Sequence, residues 1–351
     1  MQAAQPRKHP GWRQAACKVP LGWRPAGGLR YRRSMRVLLV DGHYYLYRSH
    51  FAIRGLSNSR GEPTNAIYGF IKALRRMVAD VKPDLGAVIW DCGVPARRTE
   101  AQPQYKQNRT AMPDDLRPQE DWLQKNIALT GFSSLWTENT EADDLIASYA
   151  LQAVKEGHTV AIATNDKDIL QLVNDSISIY STAKVDIGTG TFALLGAEQV
   201  RAKWGVAPRQ IADVLALTGD TSDNIPGVPG VGGKTAAKLI NQYGTVEDLI
   251  AQAASVKPET LRDKVTASVH LIKVNRQMVG LDEDLPLPLP VADLKLVPQY
   301  EPLLAALRDC EFKGLLKEVE AEAFKAGGLS EPTEAPQAAV PAPQSAQGTL
   351  F

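Results

Sequence analysis

With 351 residues, the chain is long enough for one large domain or two ordinary ones, and its 44% hydrophobic and 23% charged content is typical of a soluble globular protein. No apolar run approaches the ~20 residues of a membrane-spanning helix, and Cys17, Cys92 and Cys310 lie far apart without CxxC or Cys/His pairing, so neither a membrane protein nor a zinc protein is expected. The net charge of +1 hides an asymmetry: residues 1–34 hold eight basic residues and no acid, leaving 32 basic against 39 acidic residues, a net −7, in the remainder. Overall charge therefore neither supports nor excludes a nucleic-acid partner, and local patches must decide.

Residues 1–34 mix Pro, Gly, Trp and Arg without helical or strand periodicity. They are expected to be a disordered arm, either a basic DNA-binding tail or a transit peptide, unless Met35 is the true start. From Met35, strands are predicted at 36–41, 85–91, 132–136, 158–164 and 176–180, with helices near 44–53, 64–80, 115–129 and 141–156. This alternation predicts an α/β fold over 35–195, with a mostly parallel central sheet flanked by helices. The stretch between Asp91 and Phe132 exceeds what a crossover needs and carries RRTEAQPQYKQNR, so a lid or clamp over about 95–130 is expected there. From 196 to 324 the pattern is helical, interrupted by IPGVPGVGGKT, whose Gly and Pro residues force a tight turn in a hairpin over 220–240. Residues 325–346 are poor in large apolar side chains and read as a linker.

Acidic residues recur at the ends of these apolar runs: Asp41, Asp91, the cluster Glu141, Asp143 and Asp144, the pair Asp166 and Asp168, and the pair Asp220 and Asp223. In an open α/β sheet, ligands bind outside the carboxyl ends of the strands, so the five places can converge on one crevice. Nine carboxylates without counter-charge would resist ionising, and divalent cations such as Mg²⁺ or Mn²⁺ relieve that repulsion. Glu141 and Asp144 are three apart at a helix start and share a side, while Asp143 points to an adjacent one. Helix capping or an Asx-turn explains any single pair; it is the combination that points to metal.

IPGVPGVGGKT is not a nucleotide-binding P-loop, because Val228 stands where the first Gly is required and no strand precedes it. A Gly-rich turn between helices instead frees backbone N–H groups for a DNA phosphate, with Lys234 and Lys238 adding charge. In the long insertion, Arg97, Arg98, Lys106 and Arg109 are cations that can neutralise a scissile phosphate, and Tyr105 is expected to stack on a base. The terminal Gln347, Gly348, Thr349, Leu350 and Phe351 resemble the tether by which bacterial replication and repair proteins bind the sliding clamp, with Gly348 where that motif usually has Leu.

The segments VDGHYYLYR, GEPTNAIYGF, Asp91 through YKQNR, TEADDLIA, ATNDKDILQL and TGDTSDNIPGVPGVGGKTAAKL, in this order over about residues 35–320, resemble the 5′-nuclease domain of bacterial DNA polymerase I and the free-standing flap endonucleases and exonucleases. The resemblance implies a PIN-like fold with a helical arch and a helix-hairpin-helix-like subdomain. It implies two metal ions, Asp41, Asp91, Glu141, Asp143 and Asp144 serving one and Asp166, Asp168, Asp220 and Asp223 the other, some through water. It further implies that Lys106 approaches the scissile phosphate, supported by Arg98 and Arg109. DNA contacts are implied for Tyr47, Arg48, Tyr105, Gly227, Gly230, Gly232, Gly233, Lys234, Thr235 and Lys238, with K⁺ held at the hairpin turn. Three departures from the family pattern, Trp90 and Arg97 for Phe and Gly233 for Glu, are expected to bear on DNA grip rather than chemistry.

The expected activity is structure-specific 5′-3′ hydrolysis of phosphodiesters by two metal ions, acting on branched or nicked DNA, 5′ flaps and RNA primers in primer removal and repair. A free-standing, cytoplasmic, nucleoid-associated nuclease without polymerase activity is expected. The alternatives are a non-catalytic branched-DNA-binding protein and a PIN-type ribonuclease; the hairpin over 220–240 argues against the latter.

Overall fold

The computed structural model describes residues 34–181 and 192–327, and the expectations for residues 1–33, the linker beyond 327 and the tail at 347–351 lie outside them. The sheet has the order β3-β2-β1-β4-β5-β6. Its strands are β1 (Arg36–Asp41), β2 (Leu85–Ile89), β3 (Ser133–Leu135), β4 (Thr159–Ala163), β5 (Ile177–Ser181) and β6 (Ala193–Leu195). The first five are parallel as expected, whereas the short β6, absent from the predicted strands, pairs antiparallel to β5. Three residues carry too little periodicity to be seen in sequence.

The central strands are apolar throughout because both faces are covered. Val37, Leu39, Ala87 and Ile89 enter one core and Leu38, Val40, Val88 and Trp90 the other, so the period-2 alternation of a strand distributes one continuous run between two layers. On the second face lie α1 (Gly42–Ala52), α2 (Asn65–Val81) and α4 (Arg117–Asn126), whose Tyr45, Leu46, Phe70, Leu74 and Leu123 are buried there. On the first lies α5 (Ala142–Lys155), whose Leu145, Ile146, Tyr149 and Ala153 are buried. Trp90 is 1% exposed, stacks on Phe70 at 5.7 Å and donates from Nε1 to Ser134 Oγ at 3.0 Å. It is therefore a core residue, and the expectation that it tunes DNA grip is corrected.

The insertion is not a continuous helical arch. It forms only α3 (Ala96–Ala101), followed by turns over 103–108 and α4. Pro103 removes a helical donor, and Lys106 takes a left-handed φ of 56°. The turns lie against the 221–224 loop: Lys106 N donates to Asp223 O at 3.0 Å, Asn108 Nδ2 to Thr221 O at 2.8 Å and Asn224 Nδ2 to Gln104 O at 2.7 Å.

The helical part comprises α6 (Ala197–Trp204), α7 (Ile211–Thr218), α8 (Gly233–Tyr243), α9 (Val246–Ala251), α10 (Glu259–Ala267), α11 (Val269–Val279), α12 (Tyr300–Asp309) and α13 (Lys313–Lys325). The chain leaving α7 doubles back on itself, Val228 N donating to Leu217 O at 2.8 Å. A Cβ at Gly227 would stand 2.1 Å from the Thr218 carbonyl oxygen, so Gly227 is required by close backbone approach. By contrast a Cβ at Gly233 would meet nothing within 4 Å. Gly227→Ala should therefore lower stability by about 1–3 kcal/mol in urea unfolding, while Gly233→Ala should be neutral or stabilising; equal melting of the two would contradict this packing.

Candidate metal centre and nucleic-acid interface

The parallel register sets Asp41 beside Ile89, two residues before Asp91, and Val40 beside Ala163, three before Asp166. The carboxyl edge of the sheet thus gathers acids that are far apart in sequence. Asp41 accepts from Tyr44 N at 2.9 Å, capping α1, and from Thr164 Oγ1 at 2.8 Å. Asp91 accepts from Ala142 N at 2.7 Å, so it occupies the N-terminus of α5 and draws that helix's acids to the same edge. Asp166 receives Asp168 N at 2.8 Å. Asp220 opens the loop after α7 and bonds Lys167 Nζ at 2.5 Å.

The electrostatics divide the nine acids. Burial, then Asp91 and Asp166, push Asp41 up to about 6. Burial, then Asp166, Asp41 and Asp91, raise Asp143 well above the usual carboxylate range. Burial, then Asp166, Asp220 and Asp223, do the same to Asp168. Asp166, also raised by burial, faces both sets. Asp220 is lowered instead, because hydrogen bonds from Lys167 and Ser222 outweigh its burial.

Glu141 and Asp144 do share a side of α5, but an arginine covers that side. Arg98, 4% exposed, forms ion pairs with Glu141 and, at 2.8 Å, with Asp144. Asp144 is fully buried and also accepts from Asp282 N at 3.0 Å. Asp144 Oδ1 is thus taken up by Arg98 and the Asp282 N–H, while its Oδ2 is buried without a hydrogen-bond partner, and Arg98 is a buried counter-charge between Glu141 and Asp144. The expectation for Tyr105 is corrected. It is 7% exposed and donates to Glu141 at 3.2 Å or Asp223 at 3.1 Å, so no base can stack on it. Lys106 Nζ bonds Glu141 at 2.5 Å, and Arg109 bonds Asp223 at 2.6 Å. Arg97 bonds Asp282 at 2.9 Å and the Gln277 and Gly280 carbonyls, so this departure ties α3 to the loop after α11 rather than gripping DNA.

Among the described residues no three His, Cys, Asp or Glu side chains stand around one point as they are placed. The donors nevertheless suit a hard divalent cation. All are oxygens, Asp168 Oδ1 is buried without a hydrogen-bond partner, and no cation pairs with Asp143 among the described residues. Asp41, Asp143, Asp166 and Asp168 are the group with the most unbalanced charge. Sequence reasoning missed Lys167, hidden between two acids, and His43, which bridges Asp91 and Glu120 from within VDGHYYLYR.

Beside this edge, Tyr47 is partly exposed and stacks on Phe51, and Arg48 is exposed over the Tyr45 ring at 5.7 Å. The α8 N-terminus has Gly232 at its cap with no side-chain hydrogen bond, and Gly230, Gly232, Gly233, Lys234 and Lys238 are exposed, with Thr235 partly so. That is an open set of backbone donors next to positive charge, suited to a phosphate.

The sequence matches two family profiles, the N-terminal resolvase-like domain of 5′-3′ exonucleases over residues 36–205 and their C-terminal SAM fold over 206–301. The chain belongs to the 5′-3′ exonuclease family. It is 37% identical over 311 residues to the thermostable DNA polymerase I of Thermus thermophilus, covering 89% of this chain and 35% of that protein, and 40% identical over 253 residues to DNA polymerase I of Deinococcus radiodurans, covering 72% and 26%. The chain thus spans between about a quarter and about a third of the length of these relatives. In fold it is similar to the flap endonuclease of bacteriophage T5 solved with DNA and metal ions, at TM-score 0.57 and 21% identity, covering 83% of this chain and 98% of that one. It is also similar to the catalytic core of Rad2 solved with a DNA substrate, at TM-score 0.52 and 14% identity, covering 79% and 88%.

A carboxylate with a raised pKa in the folded state holds a proton there that the unfolded chain has released. Asp41 therefore lowers the stability of the metal-free protein as pH rises from about 4 to about 6. A cation that binds the ionised form must displace that proton. Mn²⁺ affinity measured by calorimetry should rise between pH 5 and pH 7 (on the order of one proton released per raised carboxylate); an affinity flat over that range would contradict the assignment.

Proposed function

We propose that this chain is a structure-specific 5′-3′ DNA exonuclease and flap endonuclease that hydrolyses phosphodiester bonds with two divalent ions, Mg²⁺ or Mn²⁺. The observation that carries this reading is the buried, uncompensated group Asp41, Asp143, Asp166 and Asp168 on the sheet edge, in a chain whose α8 presents open backbone donors. Asp41, Asp91 and Asp143 would hold one ion and Asp168, Asp220 and Asp223 the other, with Asp166 between them. Bound ions would lower the pKa of the attacking water and stabilise the departing 3′ oxygen. The chain's own cations have a separate task. Lys106 and Arg109 pair with Glu141 and Asp223 and are the positive groups set to meet a phosphate that enters the cleft. Glu141 orients Lys106 rather than ligating directly. The first turn of α8, with Lys234 and Lys238, would hold duplex phosphates without reading bases.

Substrates with a 5′ flap, a nick or an RNA primer fit this division between a cleaving edge and a duplex grip. K⁺ at the turn over 227–233 and a sliding clamp on Gln347, Leu350 and Phe351 are further parts of the proposal. Among the described residues no helix is long and apolar enough to cross a membrane.

Asp143→Ala should abolish cleavage of a 5′-flap substrate in Mg²⁺ while leaving flap binding nearly intact; cleavage at the wild-type rate would overturn the metal reading. Lys234→Ala should weaken binding alike on all sequences and reduce the salt slope by about one, as gel-shift titrations at several salt concentrations would show. Deleting residues 347–351 should remove binding to an immobilised sliding clamp without altering flap cleavage.

A further inference from the structure

His43 is the residue that links the metal-side edge to the helix on which the chain returns from the insertion. Its imidazole is partly buried and packs edge-on against Trp90, with ring centroids 5.7 Å apart and planes at 85°. Nδ1 accepts from the Asp91 backbone N–H at 3.1 Å and lies 3.3 Å from Asp91 Oδ2, while Nε2 meets Glu120 Oε1 at 2.8 Å. With Nδ1 accepting, Nε2 carries the proton and donates it to Glu120. Glu120 is itself held, accepting from Gln124 Nε2 at 3.2 Å. Its helix α4 is fixed by Gln119, whose Oε1 accepts from Ala66 N at 2.7 Å and whose Nε2 donates to Asn65 Oδ1 at 2.9 Å. A rigid path thus runs from α2 through α4 and Glu120 to His43 and Asp91.

Asp91 is reached by this path through its main chain. It lies two residues beyond β2, between Trp90, whose N–H bonds Leu135 O at 2.9 Å, and Cys92, which exchanges backbone bonds with Thr140. Its own N–H goes to His43 Nδ1, and its side chain is bonded at Oδ1 by Ala142 N.

We propose that His43 and Glu120 form a positioning pair that holds Asp91 through its backbone N–H and so sets its carboxylate for metal, the setting of α4 being felt at the metal-side edge. This rests on the reading of Asp91 as a metal-holding group. Outer-shell groups that orient a metal ligand change affinity without touching the ion, typically by about tenfold or more when removed.

The test uses the full chain. Mn²⁺ binding is measured by electron paramagnetic resonance, Mg²⁺ dependence by flap cleavage, and thermal melting in chelator. Glu120→Ala and His43→Ala should each weaken Mn²⁺ binding about tenfold and raise the half-saturating Mg²⁺ similarly, with kcat at saturating Mg²⁺ and melting in chelator little changed. The double variant should be no worse than either single one. Glu120→Gln should restore binding, because its amide oxygen still accepts from Nε2–H although the charge is gone. Wild-type Mn²⁺ binding in both alanine variants, additive losses in the double variant, or Glu120→Gln behaving like Glu120→Ala would each overturn the proposal. Asp91→Ala separates the two levels: if it binds Mn²⁺ like the wild type, the metal reading of Asp91 fails, whereas its loss together with unaffected His43 variants refutes the positioning pair alone.

Discussion

The constraint on which the structure depends is like-charge repulsion among carboxylates held at the carboxyl edge of a parallel sheet. Burial penalises each ionised group, and neighbouring acids add to the penalty. The fold answers it in two ways. Glu141, Asp144, Asp220 and Asp223 receive cations from Arg98, Lys106, Lys167 and Arg109. Asp41, Asp143, Asp166 and Asp168 receive none of comparable strength and titrate high. The unpaired set is where external positive charge has most to gain, which distinguishes a working centre from a structural salt-bridge network.

The paired set explains the conformation of the insertion. Arg98, Tyr105, Lys106 and Arg109 all bond to acids of the cleft, and the Gln102 and Asn108 side-chain amides and the Lys106 N–H reinforce them by donating to carbonyls of the 221–224 loop. The segment that sequence suggests as a lid is thus drawn down by the charge it was expected to cover. Buried pairs of this kind contribute little net stability when intact, but removing one partner leaves a charge stranded, at a cost of about 3–5 kcal/mol. Arg98 between Glu141 and Asp144 is the clearest instance. Metal and substrate would have to compete with Lys106 and Arg109 for Glu141 and Asp223, so those cations link cleft occupancy to the position of the insertion.

Much of the fold was legible in the chain, for definite reasons. The cores of β1, β2 and β4 are continuous apolar runs flanked by helical periodicity, with β5 alternating beside them, and a parallel sheet covered on both faces is the packing that such runs allow. The short β6 and the six-residue α3 were not legible, since neither is long enough to repeat its own pattern twice. Among the site residues, acids at strand ends announced themselves because a carboxylate closing an apolar run has few structural uses. Trp90 and Tyr105 misled because aromatic residues serve a core and a binding face equally well, and only burial tells the two apart.

The sequence by itself determined the residue types and their order: nine acids at five places, a basic insertion, and a Gly-rich turn with the wrong spacing for a P-loop. These follow from local chemistry and from the linear order in which elements appear. Tertiary structure decided which acids stay unpaired, because pairing depends on distances between residues far apart in sequence, such as Arg109 and Asp223, 114 positions apart. It assigned Asp144 and Arg98 to the interior and brought His43 between Asp91 and Glu120. It also explained Gly227 through a carbonyl from the preceding helix. Each of these is a long-range contact, and local pattern carries no information about which partner such a contact will bring.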